Sequence, residues 1–172
     1  TKAHCPGIRQ VVAFSEGAPS TQAFIVTETS PRSPQAFCLA AVDLGSNSFH
    51  LNITRVDHDQ IGPIHTLSER VQLGEETDSG ALTPAAIGRG LACLKQFKQL
   101  LDETGPYAIR VVGTHALRRA KNRSDFITPA EALLGTPIEI LQGEEEARLI
   151  YTGVAQTLSD NQTPHLVIDV GG

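Results

Sequence analysis

The spacing of hydrophobic residues changes character along this chain, from alternation to helical periodicity. Residues 37–42 are short and continuously apolar and run into the polar stretch Asp43, Leu44, Gly45, Ser46, Asn47, Ser48. That reads as a buried strand ending in a turn. Phe49, Leu51 and Ile53 then alternate with His50, Asn52 and Thr54. A period of two marks a strand with one buried face, so the pair forms a hairpin. Residues 57–63 hold the turn residues of a second hairpin, and Leu67, Val71 and Leu73 continue the alternation as a third strand, interrupted by Glu69. Three antiparallel strands open the fold.

From Thr83 the period lengthens. Thr83 is suited to cap a helix with Pro84 in its first position, and Ile87, Leu91, Leu94, Phe97 and Leu101 share one face as far as about Glu103. Gly105 and Pro106 stop it. Residues 109–112, 138–141 and 165–170 read as short buried strands that each follow a helical stretch, which predicts parallel α/β structure. Residues 144–157 place Ala147, Ile150, Tyr151 and Val154 at helical spacing behind three acids, where the helix dipole favours negative charge. Residues 124–134 admit two readings. Thr128, Pro129 and Glu131 suit a capping box for a helix beginning at Pro129, whereas Phe126 and Ile127 suggest an earlier start in which Pro129 removes a hydrogen bond.

Composition sets the scale. With 172 residues, 40% apolar and 19% charged, the chain can form one core domain and is too short for two full ones. Residues 1–36 hold four of the ten prolines and eight Ser or Thr without periodicity, so they read as a leader that is disordered or foreign to the fold. The first residue is Thr, there is no Met, and the chain stops on Gly171 and Gly172 after an apolar run. It reads as a piece of a longer protein. Three scattered cysteines without a CxxC pair disfavour a disulfide scaffold or zinc site. No apolar run approaches the roughly 18 residues of a membrane span, and no secretory signal is present, so a cytoplasmic protein without a membrane anchor is expected.

The formal net charge of −5 disfavours a sequence-blind nucleic-acid binder, but the charge is unevenly spread. Residues 110–123 contain Arg110, Arg118, Arg119, Lys121 and Arg123, with His115 and no acid, which leaves net −10 on the remainder. The strip suits either a local anion site or a solvated basic face. It has no aromatic residue to stack on bases.

Candidate chemistry begins with an internal echo. Residues 39–42 followed by Asp43, Leu44, Gly45 resemble residues 166–168 followed by Asp169, Val170, Gly171. Glycine lets backbone N–H groups approach phosphate oxygens, Ser46 and Ser48 add donors, and an Asp at the strand end can hold Mg²⁺ directly or through water. An ordinary strand-ending turn has the same appearance when met singly. Gly143, Glu144, Glu145, Glu146, Ala147, Arg148 form the third feature. Such acids either complement a helix dipole or, beside bound phosphate, supply a carboxylate that deprotonates water. The histidines lack ligand spacing and read as structural or surface residues, with His115, beside the basic strip, as the exception.

Four motifs in order, AAVDLGSNSFHL at 40–51, VVGTHALRRAKN at 111–122, GEEEARLIYTGV at 143–154 and LVIDVGG at 166–172, resemble the exopolyphosphatase and guanosine pentaphosphate phosphatase family. The resemblance implies an actin-like ATPase fold of two RNase H-like lobes with the site between them. Residues 37–157 would be the first lobe, with a mixed sheet of three antiparallel strands followed by alternating helices and strands. Residues 158–172 would be the first strand and loop of a truncated second lobe. By position, Asp43 and Asp169 would place Mg²⁺, and Gly45, Ser46, Asn47 and Ser48 would form the first phosphate loop. Gly171 and Gly172 would begin the second loop, Arg118 would lie near the phosphates, and Glu146 would be the catalytic base. The family's second loop continues to a Ser-Thr-Glu signature that this sequence does not reach.

The implied activity is Mg²⁺-dependent release of terminal phosphate from polyphosphate, with guanosine pentaphosphate as the alternative substrate and a homodimer as the expected full-length state. Two other readings compete with it. One is a polyphosphate or nucleotide binder without turnover; the other is a kinase of the same superfamily, since phosphate loops alone do not separate hydrolysis from transfer.

Overall fold

In a computed structural model of the chain, residues 36–57, 60–75, 80–155 and 166–168 are described. Strands β1 (Phe37–Leu44), β2 (Ser48–Asp57) and β3 (Gln60–Arg70) form the expected antiparallel opening. Phe49, Leu51 and Ile53 are all fully buried, as their alternation predicts. β1, read as a continuously apolar buried strand, is buried at alternate positions only. Ala40, Val42 and Leu44 are buried, whereas Leu39 and Ala41 are exposed. The core cluster covers one sheet face, so an apolar run beside it still alternates in burial. That alternation places Asp43 on the opposite face.

The second hairpin is tighter than expected. β2 continues to Asp57, which pairs with Gln60, so Gly62 and Pro63 lie in a strand rather than a turn. Two features permit this. β3 is at the edge of the sheet, and a register shift after Ile53 moves the pairing from His65 to Pro63. Val71 and Leu73 are buried but lie past the end of β3, in a segment that folds back against the β1–β2 turn.

Helix α1 (Pro84–Thr104) begins as read, with Thr83 Oγ1 accepting from Ala86 N at 3.1 Å, and ends at Gly105 in the left-handed region (φ 59°). It leads to β4 (Ala108–Gly113), parallel to β1. Two helices, α2 (His115–Arg119) and α3 (Ser124–Leu134), lead to β5 (Ile138–Ile140), parallel to β4. Helix α4 (Gly143–Ala155) follows. The sheet order is β3-β2-β1-β4-β5.

Of the two starts open for α3, the earlier one is adopted, with Pro129 inside the helix. Phe126 decides it: the ring is fully buried against Phe49 and over Gly90 of α1, where a Cβ would come within 2.7 Å of it. Burying such a ring outweighs one lost hydrogen bond at an exposed proline. Glu131 makes no capping box; its carboxylate accepts from Ile138 N at 2.8 Å.

Two expectations near the end of the chain change. Helix α4 forms, but none of its residues is buried, and Tyr151 and Val154 are exposed. The strand expected at residues 165–170 is not found at residues 166–168, where Leu166 and Ile168 are 85% and 73% exposed. A strand requires a hydrogen-bonded neighbour, and no described strand pairs with this stretch. Residues 1–35, 156–165 and 169–172 lie outside the described residues, and with them Asp169, Gly171, Gly172 and most of the leader.

Candidate active site

The carboxyl ends of the parallel strands β1, β4 and β5 lie side by side. Leu44 pairs with Gly113, and Gly113 with Ile140. Beyond these ends, Thr114 N donates to Leu44 O at 3.4 Å and Leu141 N to Gly113 O at 3.0 Å, which keeps the three exits together. In open α/β sheets, ligands bind off the carboxyl ends of the strands. Among the sequence-predicted residues, Asp43, the 45–48 loop, Arg118 and Glu146 are all carried on or just after these ends.

Asp43 is the penultimate residue of β1, half-buried, with Oδ1 shut off from solvent. The turn after it is close-fitting: a Cβ at Gly45 would fall 2.7 Å from Ser48 O, so this position demands glycine. Ser46 O accepts from Gly74 N at 2.8 Å, and Asn47 O accepts from Val71 N at 2.9 Å and Gln72 N at 2.8 Å. In a trans peptide, the C=O and N–H point in opposite directions. With the carbonyls of Ser46 and Asn47 drawn toward residues 71–74, the N–H groups of Asn47 and Ser48 point away from that segment. Two amides on one turn are the kind of donor set that receives phosphate oxygens.

Arg118 projects from α2 and is three-quarters buried. Its Nη1 donates to Leu141 O at 2.6 Å and to Glu146 Oε2 at 3.1 Å. Thr114 O, on a buried threonine, receives Arg118 N at 2.9 Å and starts this short helix. The pairing separates the three acids of α4. Glu145 binds Arg148 on its own helix at 2.8 Å, and that hydrogen bond holds its carboxyl below the usual range. Glu144 is exposed, and Glu146 alone turns to Arg118. A hollow of about 450 Å³ lies between α4 and residues 166–167, with Glu146 in its wall beside Gly143, Ala147 and Ile150.

The basic strip divides in the same way. Arg110 is held by Glu139 at 2.8 Å on the sheet face away from the core, which raises its pKa and neutralises it locally. Arg119, Lys121 and Arg123 are exposed. The strip is therefore not one anion surface: Arg118 is the member turned to the strand ends. Asn122, which carried no functional reading, secures the end of the strip. Its amide brackets Leu82, with Oδ1 accepting from Leu82 N at 2.8 Å and Nδ2 donating to Leu82 O at 3.2 Å. Arg89, which helical periodicity marks only as an exposed position of α1, donates to Val71 O and Gln72 O in the segment that meets the 45–48 turn.

A model of the Ppx/GppA phosphatase family matches residues 52–172. The chain belongs to that family. Similar solved structures include the Aquifex aeolicus PPX-GPPA enzyme (30% identity, TM-score 0.69, 73% of this chain and 42% of that one). An exopolyphosphatase from Cytophaga hutchinsonii is 32% identical, with a TM-score of 0.66 over 69% of this chain and 38% of that one. An exopolyphosphatase-like protein is 29% identical, with a TM-score of 0.69 over 76% of this chain and 40% of that one. The chain thus spans about two fifths of the length of these Ppx/GppA relatives. The sequence-based fold class stands, with its mixed sheet of three antiparallel strands followed by alternating helices and strands.

No group of three or more His, Cys, Asp or Glu with metal-binding geometry occurs among the described residues. Mg²⁺ commonly needs only one or two carboxylates, with water and substrate phosphates completing its shell. A half-buried Asp43 at a strand end, next to a turn that offers amides, fits that limited demand.

Proposed function

We propose that the complete protein releases terminal phosphate from inorganic polyphosphate by attack of water on a phosphoanhydride. The observation that carries this reading is the contact between Arg118 and Glu146 beside the carboxyl ends of the strands. It joins a carboxylate able to take a proton to a guanidinium able to receive phosphate oxygens. The 45–48 turn would hold the terminal phosphate through its amides and hydroxyls. Glu146 would orient the water and accept its proton as oxygen bonds to phosphorus and the bridging P–O bond breaks. Arg118 would neutralise charge on the oxygens in flight. Mg²⁺, when bound, supplies charge neutralisation on the phosphates, with Asp43 and Asp169 as its proposed holders and Gly171 and Gly172 as the start of the proposed second loop.

Polyphosphate is the preferred substrate of this reading because the similar structures include an exopolyphosphatase and an exopolyphosphatase-like protein. Guanosine pentaphosphate contains the same bond and is the comparison substrate. The described helices include none long and apolar enough to cross a membrane. A cytoplasmic setting is part of the proposal. The proposed homodimer rests on the family resemblance.

Phosphate release from long-chain polyphosphate, with and without EDTA, tests the proposal. Release that EDTA abolishes supports it. Retention of polyphosphate without release favours a binding protein, and consumption of ATP only with an acceptor favours a kinase.

A further inference from the structure

We infer that Arg89 is a positioning residue for the first phosphate loop, acting through the backbone of residues 71–74; this rests on the reading of residues 45–48 as that loop. Arg89 lies on the exposed side of α1, yet two nitrogens of its guanidinium engage the chain leaving β3. Nε donates to Val71 O at 2.7 Å, and Nη2 donates to Gln72 O at 3.1 Å and Glu75 Oε2 at 2.6 Å. Gln72 is held there at φ 54°, a region that residues other than glycine seldom adopt.

The peptide geometry turns this clamp toward the loop. Val71 C=O and Gln72 N–H belong to one planar unit and point in opposite directions. One end receives the Arg89 charge, and the other donates to Asn47 O at 2.8 Å. Asn47 C=O and Ser48 N–H form the next unit, so the Ser48 amide points onward, away from Arg89 and to the side assigned to phosphate. A cation at the carbonyl end of two peptide units in series polarises both, and makes the last N–H a better donor to an anion. Close packing backs the same arrangement: a Cβ at Gly74 would be 3.1 Å from Ser46 Cβ. Arg89 thus fixes the turn before substrate arrives, and strengthens one of its donors without touching the substrate.

Arg89→Met and Arg89→Lys in the complete protein test this by steady-state phosphate release from polyphosphate and by hydrogen exchange over residues 45–48 and 71–74. Arg89→Met is expected to raise KM about tenfold or more, the scale of a lost charge-assisted hydrogen bond, with a smaller change in kcat per folded molecule. Exchange should quicken over both segments while the β1 core keeps its protection, and Arg89→Lys should recover part of each effect. A merely structural arginine would lower the folded fraction and leave KM unchanged, and that result overturns the inference. Unchanged exchange at residues 45–48 overturns it too. If the wild-type protein releases no phosphate while exchange over both segments responds to Arg89→Met, the functional reading fails and the positioning of the turn stands.

Discussion

Arg118 and Glu146, 28 residues apart in sequence, meet at 3.1 Å where α2 and α4 leave the ends of neighbouring parallel strands. Both side chains are about a quarter exposed, so the pair is sheltered yet open on one side. The same Arg118 Nη1 also holds Leu141 O, which ties the guanidinium to the chain connecting β5 to α4. The contact thus fixes the direction of the guanidinium and the carboxylate together.

Replacement of the proposed proton acceptor is the most direct probe. In the complete protein, Glu146→Gln retains a hydrogen-bond acceptor for Arg118 and removes the base. Turnover is expected to fall by about 10² to 10⁴, with polyphosphate binding and melting temperature largely kept. Phosphate release at the wild-type rate would remove Glu146 from the chemistry.

The proposed mechanism gives Arg118 two roles, and its substitution should show both. Arg118→Met leaves Leu141 O and the Glu146 carboxylate without a shared donor and deprives the site of its cation. We expect kcat/KM to drop by at least about tenfold, the scale of a hydrogen bond to a charged group. Lysine should rescue it poorly, because one nitrogen already holds both partners and only a guanidinium keeps further N–H donors for phosphate. Full activity in Arg118→Lys would contradict the assigned geometry.

Packing at Gly90 sets two effects against each other. Alanine gains about 1 kcal/mol of helix propensity over glycine, while its Cβ would meet the Phe126 ring at 2.7 Å. Overpacking typically costs about 1 to 3 kcal/mol, and this ring is fully buried against Phe49. The clash should win. Gly90→Ala is expected to lower the urea midpoint, and an increase would show that Phe126 yields freely.

Cys93 carries a pH dependence unconnected with the site. Burial, and secondarily the charge of Glu69, push its thiol up to about 11. An unfolded chain releases this proton near its ordinary value of about 8.5, so it gains relative to the folded state as pH rises beyond that. The stabilising contribution is full below that value and gone once pH passes about 11. Denaturation midpoints measured from neutral to alkaline pH should fall more steeply in the wild type than in Cys93→Ala. Parallel curves would rule out the linkage.

By itself the sequence determined those local features whose signals act within a few residues. Alternation at Phe49, Leu51 and Ile53, the Thr83 and Pro84 start and the Gly105 stop each act within a few residues, and each was realised. Four short motifs in order were also enough to indicate the family whose model matches residues 52–172. The tertiary structure decided relationships between distant segments. Strand pairing chose an edge position where Pro63 is tolerated, and burial of Phe126 against Gly90 selected the earlier start of α3. Three adjacent acids look equivalent in the chain, and five basic residues look like one strip. Only the parallel pairing of β4 with β5 brings Arg118 to Glu146 and leaves Arg110 with Glu139. Arg89 left no signal in the sequence, because its partners are carbonyls, which every residue possesses. Their availability depends on where the backbone turns, and that is set by packing across the whole sheet.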